Sequence, residues 1–344
     1  MQKTPKKILV RLPNWVGDVV MATPVIETLH YAYPEAKIYT LVRPYAQNIL
    51  HGNPWITNII PCDDKTYQGW KAFHTTVRKI QPDLTILLTN SMRSLLFLRL
   101  AGIKNIYGYK RDARSFLLTG GPSPIKAEKK YLPIPMVDYY LGICKYLQIP
   151  IHTPIKPTLH ITPETQKKAD ELLKKYNIQA SDTVIGLNPG AKFGASKCWP
   201  PHYFAQLANL LQRNHDVKIL LFTGPGEEEL AQNILDNTEA TIIPTYPDNP
   251  GLDVLKPLIK RCNLLVTNDT GTRHYAVALD TPLVVIFGPT DQRYTNNNLE
   301  KTTIIDNHLP CAPCHLKKCP TDHKCMLSIT PEQVYEACKP YIKK

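Results

Sequence analysis

The sequence predicts an α/β protein made of two doubly wound halves, each a parallel sheet with helices on both faces. Three observations predict it. Short apolar runs of strand type alternate with helical segments along most of the chain. The 344 residues are enough for two domains of ordinary size. A stretch with three prolines, residues 150–157, separates two runs of alternation and reads as a linker or crossover. The expected division is therefore 1–157, 158–330 and a last helical piece, 331–344.

In the first half, residues 7–12 are mainly apolar and stop at Pro13, as a buried parallel strand does. Residues 13–18 form a loop carrying Asn14, Gly17 and Asp18, and a helix follows over 19–31 with Val20, Pro24, Ile26 and Leu29 on its apolar face. Gly17 permits a sharp turn or the close approach of a ligand. Asp18 has two readings: an N-cap, or a general base at the C-terminal edge of a parallel sheet, where open α/β folds place their ligands. Further strands are expected at 37–42, 56–61, 84–88 and 105–109. Helices are expected at 44–50, 67–80, from 90–94 to 101, and at 137–147. Residues 110–135 read as an irregular basic stretch. Arg93, Lys110, Arg111 and Arg114 either bind an anionic substrate or form a solvated basic surface.

The second half opens with a helix at 163–176 and a strand at 183–187. The loop after it, 188–200, holds Gly190, Ala191, Gly194, Lys192 and Lys197. Those are the ingredients of a phosphate cradle, although the order G-x-x-x-x-G-K-[ST] is missing. A helix at 201–212 and a strand at 218–223 lead to Gly224, Pro225, Gly226 and then Glu227, Glu228 and Glu229. The three acids suit a helix N-terminus, or one of them holds ribose hydroxyls. A strand at 241–245 and a helix at 251–261 follow. Then come a strand at 264–266, the turn Asn268-Asp269-Thr270-Gly271, a helix at 272–279 and a strand at 282–287. The start of that helix offers free backbone N–H groups and a partial positive charge, which suit a phosphate. Asp269 either accepts hydrogen bonds from a ligand hydroxyl or caps the helix.

Lys and Arg outnumber Asp and Glu by 41 to 29, a net charge of +12, so the partners should be anionic. No zinc-finger spacing, RNP-like strand or basic zipper occurs, so nucleic acid is not expected. An anionic small molecule or lipid head group is the better match. No apolar run approaches the ~20 residues that span a bilayer. The run after the basic N-terminus is broken by Arg11, Pro13 and Asn14, so it reads as a strand and not a signal peptide, and the expected location is the cytosol. Nine cysteines are present. Cys311, Cys314, Cys319 and Cys325 have the spacing C-x2-C-x4-C-x5-C, with His315 and His323 among them. That spacing is compatible with tetrahedral zinc or a redox pair; reduced structural thiols are the favoured reading in the cytosol. No Asp-x-Asp pair of the type that holds a metal on a nucleotide-sugar occurs, so no catalytic metal is expected.

Four segments combine into a resemblance: Leu12-Pro13-Asn14-Trp15-Val16-Gly17-Asp18; Asn188-Pro189-Gly190-Ala191 with Ser196-Lys197-Cys198-Trp199-Pro200; Asn268-Asp269-Thr270-Gly271 with His274; and Phe287-Gly288-Pro289-Thr290. In order and spacing they resemble the ADP-heptose:lipopolysaccharide heptosyltransferases of glycosyltransferase family 9, over nearly the whole chain. The first segment and the Cys-rich tail look more like the heptosyltransferase II type than type I. The resemblance implies a GT-B fold, two Rossmann-like domains facing across a cleft, with the last helix, 331–344, crossing back to the first domain. It implies inverting transfer of L-glycero-D-manno-heptose from ADP-heptose to the first heptose of the inner core. The acceptor would be a Kdo- and heptose-bearing lipid A, met by peripheral contact with an anionic membrane surface, through charge and Trp55 or Trp70.

Residue by residue, the resemblance implies that Asp18 is the general base and that Lys197 stabilises the departing ADP. Gly190 and Ala191 would line the phosphate loop, and Glu227 would lie near the ribose. Asp269 would hold heptose hydroxyls, while Thr270 and Gly271 present amides to the diphosphate. His274 either supports that site or is structural. Asn14, Gly17, Arg93, Arg111 and Arg114 are the candidates for the acceptor side, and no cofactor is required. Two other readings stay open: a type I or III enzyme with a different core acceptor, and a non-catalytic nucleotide-sugar or glycan-binding module on the same scaffold.

Overall fold

The computed structural model describes residues 4–63, 66–127 and 130–342. The chain forms two compact units: one runs to His160 and includes Arg293–Asn297, and the other comprises Ile161–Gln292 with the chain from Asn298 onward.

The first unit contains β1 (Lys7–Arg11), α1 (Val16–Met21), α2 (Thr23–Ala32), β2 (Lys37–Val42), β3 (Asn58–Pro61), α3 (Tyr67–Ile80), β4 (Leu84–Leu87), α4 (Met92–Leu100) and β5 (Ile106–Gly108). A small hairpin of β6 (Lys126–Ala127) and β7 (Lys130–Tyr131) follows, and then α5 (Met136–Tyr146). Its sheet is parallel, in the order β3-β2-β1-β4-β5. The strands are apolar runs because both faces are covered; Ile8, Leu9, Val10, Ile86 and Leu87 are fully buried. The expected single helix over 19–31 is two helices, and α1 begins earlier, at Val16. Pro24 has no N–H to give to the carbonyl of Val20. The Thr23 hydroxyl donates to that carbonyl instead, at 2.8 Å. The chain switches direction between β1 and β4, so the loops after these strands lie where such a sheet binds ligands.

The second unit contains α6 (Pro163–Lys175), β8 (Thr183–Asn188), α7 (Pro201–Asn214), β9 (Val217–Leu221), α8 (Glu228–Asp236), β10 (Ile242–Pro244), α9 (Gly251–Arg261) and β11 (Leu264–Asn268). It continues with α10 (Gly271–Leu279), β12 (Leu283–Ile286), β13 (Thr302–Ile305), α11 (Lys324–Leu327) and α12 (Pro331–Cys338). The sheet is again parallel, in the order β10-β9-β8-β11-β12-β13, and its switch point lies between β8 and β11. The edge strand β13 was not expected from the sequence.

α12 packs on α7, and Val334, Cys338 and Ile342 enter the core of the second unit together with Trp199, Phe204 and Leu211. Burial of that apolar face accounts for its place there; residues 343 and 344 lie outside the described residues. Among the described residues, no helix is long and apolar enough to cross a membrane.

Candidate active site

In the second unit the loop after β8 is pinned at both ends by one side chain. Asn268, buried at the end of β11, donates to the carbonyl of Pro189 (2.5 Å) and accepts from the N–H of Trp199 (3.1 Å). Trp199 is itself fully buried. It stacks edge-on against Phe204 and donates its indole N–H to the carbonyl of Ile329 at 2.8 Å. Residues 189–199 are therefore held as a fixed bridge across the switch point, with Lys197 near one end.

Lys197 meets Asp269. Its ammonium donates to Oδ2 of Asp269 at 2.5 Å and to the Asp269 carbonyl at 3.0 Å. Arg273, one helical turn on, donates to Oδ1 at 3.0 Å, and the Thr290 hydroxyl donates to Oδ2 at 2.7 Å. Burial alone would raise the Asp269 pKa. The Lys197 and Arg273 charges and the hydrogen bonds outweigh it and hold the carboxyl far below the usual range. Two cations, Lys197 and Arg273, thus meet on this one carboxylate. It sits at the N-terminus of α10, whose N-cap Thr270 makes no side-chain capping bond. The Lys197 ammonium thus lies beside the start of α10, where a helix presents its first-turn amides to an anion. His274 lies in the same turn and is buried. Burial first, then the nearby Arg273 charge, push its pKa down to about 3, so it is neutral. Gly271 opens the helix, with the N–H of Arg273 bonded back to Thr270.

Gly190 and Glu227 are brought together as well. A Cβ on Gly190 would lie 2.1–2.3 Å from the Glu227 carboxylate, so only glycine fits beneath it. The carboxylate is fixed by the N–H of Gly224 at 2.7 Å. Glu227 is the N-cap of α8 but makes no capping bond, which leaves the helix-start reading to Glu228 and Glu229. Ala191 is half-buried beside Gly190.

The Cys-rich tail braces the Lys197 loop. Ser196 donates its N–H to Lys317 O and its hydroxyl to Leu316 O, and its own carbonyl is bonded by the His323 ring at 2.7 Å. A Cβ on Gly194, at φ +158°, would lie 2.3 Å from Lys317 O, and one on Gly288 would lie 2.5 Å from the Met326 sulfur. Cys311 and Cys314 are exposed, Cys319 and Cys325 are half-buried, and all four are unbridged. Among the described residues no group of three or more His, Cys, Asp or Glu is arranged to hold a metal ion.

In the first unit Asp18 lies in the first turn of α1, half-buried, and its Oδ1 accepts the hydroxyl of Tyr140 at 2.8 Å. Tyr140, from α5, is buried; burial and the Asp18 charge push its pKa well up, so it is a donor throughout. Trp15, not Asp18, is the N-cap. Arg11 is buried at the end of β1 and donates to the Asn14 side chain at 2.9 Å, setting the loop that carries Asn14, whose carbonyl accepts the Tyr45 hydroxyl. Gly17 is buried within α1. Arg93 is exposed at the start of α4. Arg111 lies 4.2 Å over the Tyr131 ring and pairs with Asp112. The expectation for Arg114 is corrected. It is fully buried and spends its guanidinium on Thr89 O (2.6 Å), Asn90 Oδ1 (3.0 Å) and Tyr109 O (3.0 Å), so it ties two loops together inside the protein.

Each unit thus carries a cluster at its own switch point: Asn14, Asp18 and Tyr140 in one, Lys197, Asp269, Arg273 and Thr290 in the other. The family model of glycosyltransferase family 9 (heptosyltransferase) matches residues 70–325. The chain belongs to this family. It is therefore a glycosyltransferase. It is 28% identical to lipooligosaccharide heptosyltransferase 2 of Haemophilus influenzae, with 98% of this chain and 99% of that one covered. It is 28% identical to lipopolysaccharide heptosyltransferase 2 of Escherichia coli K12, with 96% and 97% covered. The solved structure of E. coli ADP-heptose lps heptosyltransferase II superposes with a TM-score of 0.80 at 26% identity, covering 97% of this chain and 98% of that one. The GT-B fold expected from the sequence agrees with that likeness.

Reading the sequence assigned no role to Arg273, Thr290, Tyr140 or Arg11. Arg273 had a usable signal, an acid and an arginine four residues apart across a helix start. Tyr140 and Asp18 are 122 residues apart and no local pattern links them.

Proposed function

We propose that this glycosyltransferase moves L-glycero-D-manno-heptose from ADP-heptose to the first heptose of a lipopolysaccharide inner core, with inversion, and that it works at the inner face of the cytoplasmic membrane. The observation that carries the donor half is the Lys197 ammonium held on the carboxylate and carbonyl of Asp269 at the start of α10. The similarity to heptosyltransferases 2 over nearly the full length favours the type II acceptor.

The Asp18 carboxylate takes the proton of the acceptor hydroxyl, and the oxygen attacks the anomeric carbon from the face opposite the diphosphate. The bond from that carbon to the phosphate oxygen breaks, and ADP leaves with the electron pair. Lys197 and the α10 amides stabilise the charge gathering on the diphosphate. Tyr140 donates to Asp18 and keeps the carboxylate oriented. Glu227, held above Gly190, takes the ribose hydroxyls, and Asp269 with Thr270 and Gly271 holds the heptose and diphosphate.

The test is transfer from ADP-heptose to Kdo2-lipid A bearing one heptose, with wild type and Asp18→Asn, with and without EDTA. Turnover by wild type alone, unchanged by EDTA, is expected. Transfer only to the acceptor without heptose would move the assignment to type I. Absence of transfer to either acceptor would overturn the lipopolysaccharide reading.

A further inference from the structure

The hairpin of β6 and β7 has two unlike faces. Lys126 pairs with Tyr131 and Ala127 with Lys130, and the N–H of Leu132 bonds the carbonyl of Ile125, so Ile125 and Leu132 are also opposed. Side chains alternate along a strand, so Lys126 and Tyr131 share one face, and Ile125, Ala127, Lys130 and Leu132 share the other. The first face is occupied by its own protein: Lys126 lies 5.0 Å and Arg111 4.2 Å from the Tyr131 ring. The second is open, with Ile125 60% and Leu132 42% exposed. A ribbon this short has no core to cover such a face.

The surroundings are strongly basic. In sequence, between residues 92 and 146, ten Lys and Arg, among them the buried Arg114, stand against three Asp and Glu. The hairpin also lies at the ligand end of its unit. The N–H of Lys110, just past β5, bonds the carbonyl of Pro122, which places the chain entering the hairpin at the C-terminal end of the sheet. Arg114 then ties Tyr109 to the loop after β4.

We propose that this open face, with Ile125 and Leu132 at its centre and Lys130 beside them, docks on an anionic lipid surface. Apolar side chains enter the head-group boundary while lysines meet lipid phosphates, which is how a peripheral protein gains both area and charge attraction. A protein partner would also cover an apolar face, but the local excess of cations matches a phosphate-bearing surface. The inference deepens the proposed function, whose acceptor bears a lipid. Vesicle binding is read without turnover, so the two readings fail separately.

The experiment is co-sedimentation of the full chain with vesicles of phosphatidylcholine and of phosphatidylcholine mixed with phosphatidylglycerol. Wild type should bind the mixed vesicles and bind the neutral ones far more weakly, with binding falling as salt rises. Ile125→Asp with Leu132→Asp should lower binding to mixed vesicles by about tenfold or more. Phe116→Asp serves as control: Phe116 is 78% exposed but lies toward the opposite end of β5, where Thr119 bonds Ile106, and this variant should bind like wild type. Circular dichroism melting checks that all three fold. Equal binding by the double variant and wild type, equal loss in the Phe116 variant, or no preference for mixed vesicles would each overturn the proposal.

Discussion

Replacing Asp269 by asparagine should separate the stabilising role of the carboxylate from the catalytic role of its lysine. The Arg273 side chain is 1% exposed and the Asp269 side chain 11%. The amide would keep the shape and one acceptor but would remove the negative charge that Arg273 and Lys197 both meet. Breaking a buried pair in this way costs about 3–5 kcal/mol. For a unit of this size each kcal/mol moves the melting temperature by about 2–4 °C, so a drop of roughly 10 °C is expected. Lys197→Met is the contrast. Asp269 would keep Arg273 at 3.0 Å and Thr290 at 2.7 Å, and the lysine is partly exposed, so the cost is about 1–2 kcal/mol, one charge-assisted hydrogen bond. Transfer from ADP-heptose should nevertheless fall by about 10²–10³ in kcat, as when one donor to a developing anion is removed. Calorimetry gives the first quantity and a transfer assay the second. An Asp269→Asn protein that melts within about 2 °C of wild type would refute the view that this carboxylate compensates Arg273. A Lys197→Met protein with full turnover would refute the role given to the lysine.

Other outcomes follow from the same geometry. His274 has a folded pKa of about 3 and an unfolded value near ~6.5, so the unfolded state takes up the proton first. Stability should therefore fall as pH drops below about 6.5, by roughly 3 kcal/mol near pH ~4, and the depressed pKa of Asp269 adds a further loss below about 4. Melting curves from pH 7.5 downward should be steep for wild type and flatter for His274→Gln; equal slopes would show that another group titrates. Tyr140→Phe removes a donor to the Asp18 carboxylate, so the acid limb of the kcat/KM profile should move to higher pH, whereas a purely structural tyrosine would leave the profile in place. Gly190→Ala drives a methyl group into the Glu227 carboxylate and should weaken ADP binding in titration calorimetry, at a stability cost of about 1–3 kcal/mol. Arg114→Lys should lower the melting temperature and leave the acceptor KM unchanged, because its donors are spent on Thr89, Asn90 and Tyr109.

The parallel alternation was legible because buried strands must be apolar on both faces, and β2, α3 and α9 have the bounds their patterns suggested. β13 was not legible: Thr302–Ile305 is an edge strand of mixed character with no helix leading into it from a recognisable cap. The loops after β1, β8 and β11 could be nominated from turn residues, since a ligand at a switch point needs short, polar, glycine-bearing connections. What those loops hold together could not. Lys197 finds Asp269 across 72 residues, and Arg11, Arg114 and Arg273 are buried cations that a reading based on charge alone places at the surface.

The brace on the Lys197 loop has a consequence for how the protein is made. Ser196 is held by Leu316, Lys317 and His323, and Trp199 by Ile329, across 120 to 130 residues of chain. The lysine-bearing loop therefore leaves the ribosome long before the segment that sets it. Closing such distant contacts is slow compared with forming local helices. A nascent chain can possess every strand of the first unit, and most of the second sheet, while its lysine is still unplaced. The order of synthesis makes residues 316–329 the step that completes the brace on that lysine's loop. A chain cut short after β13 would lose the brace together with Met326, Ile329, Val334 and Cys338, which fill the core of the second unit.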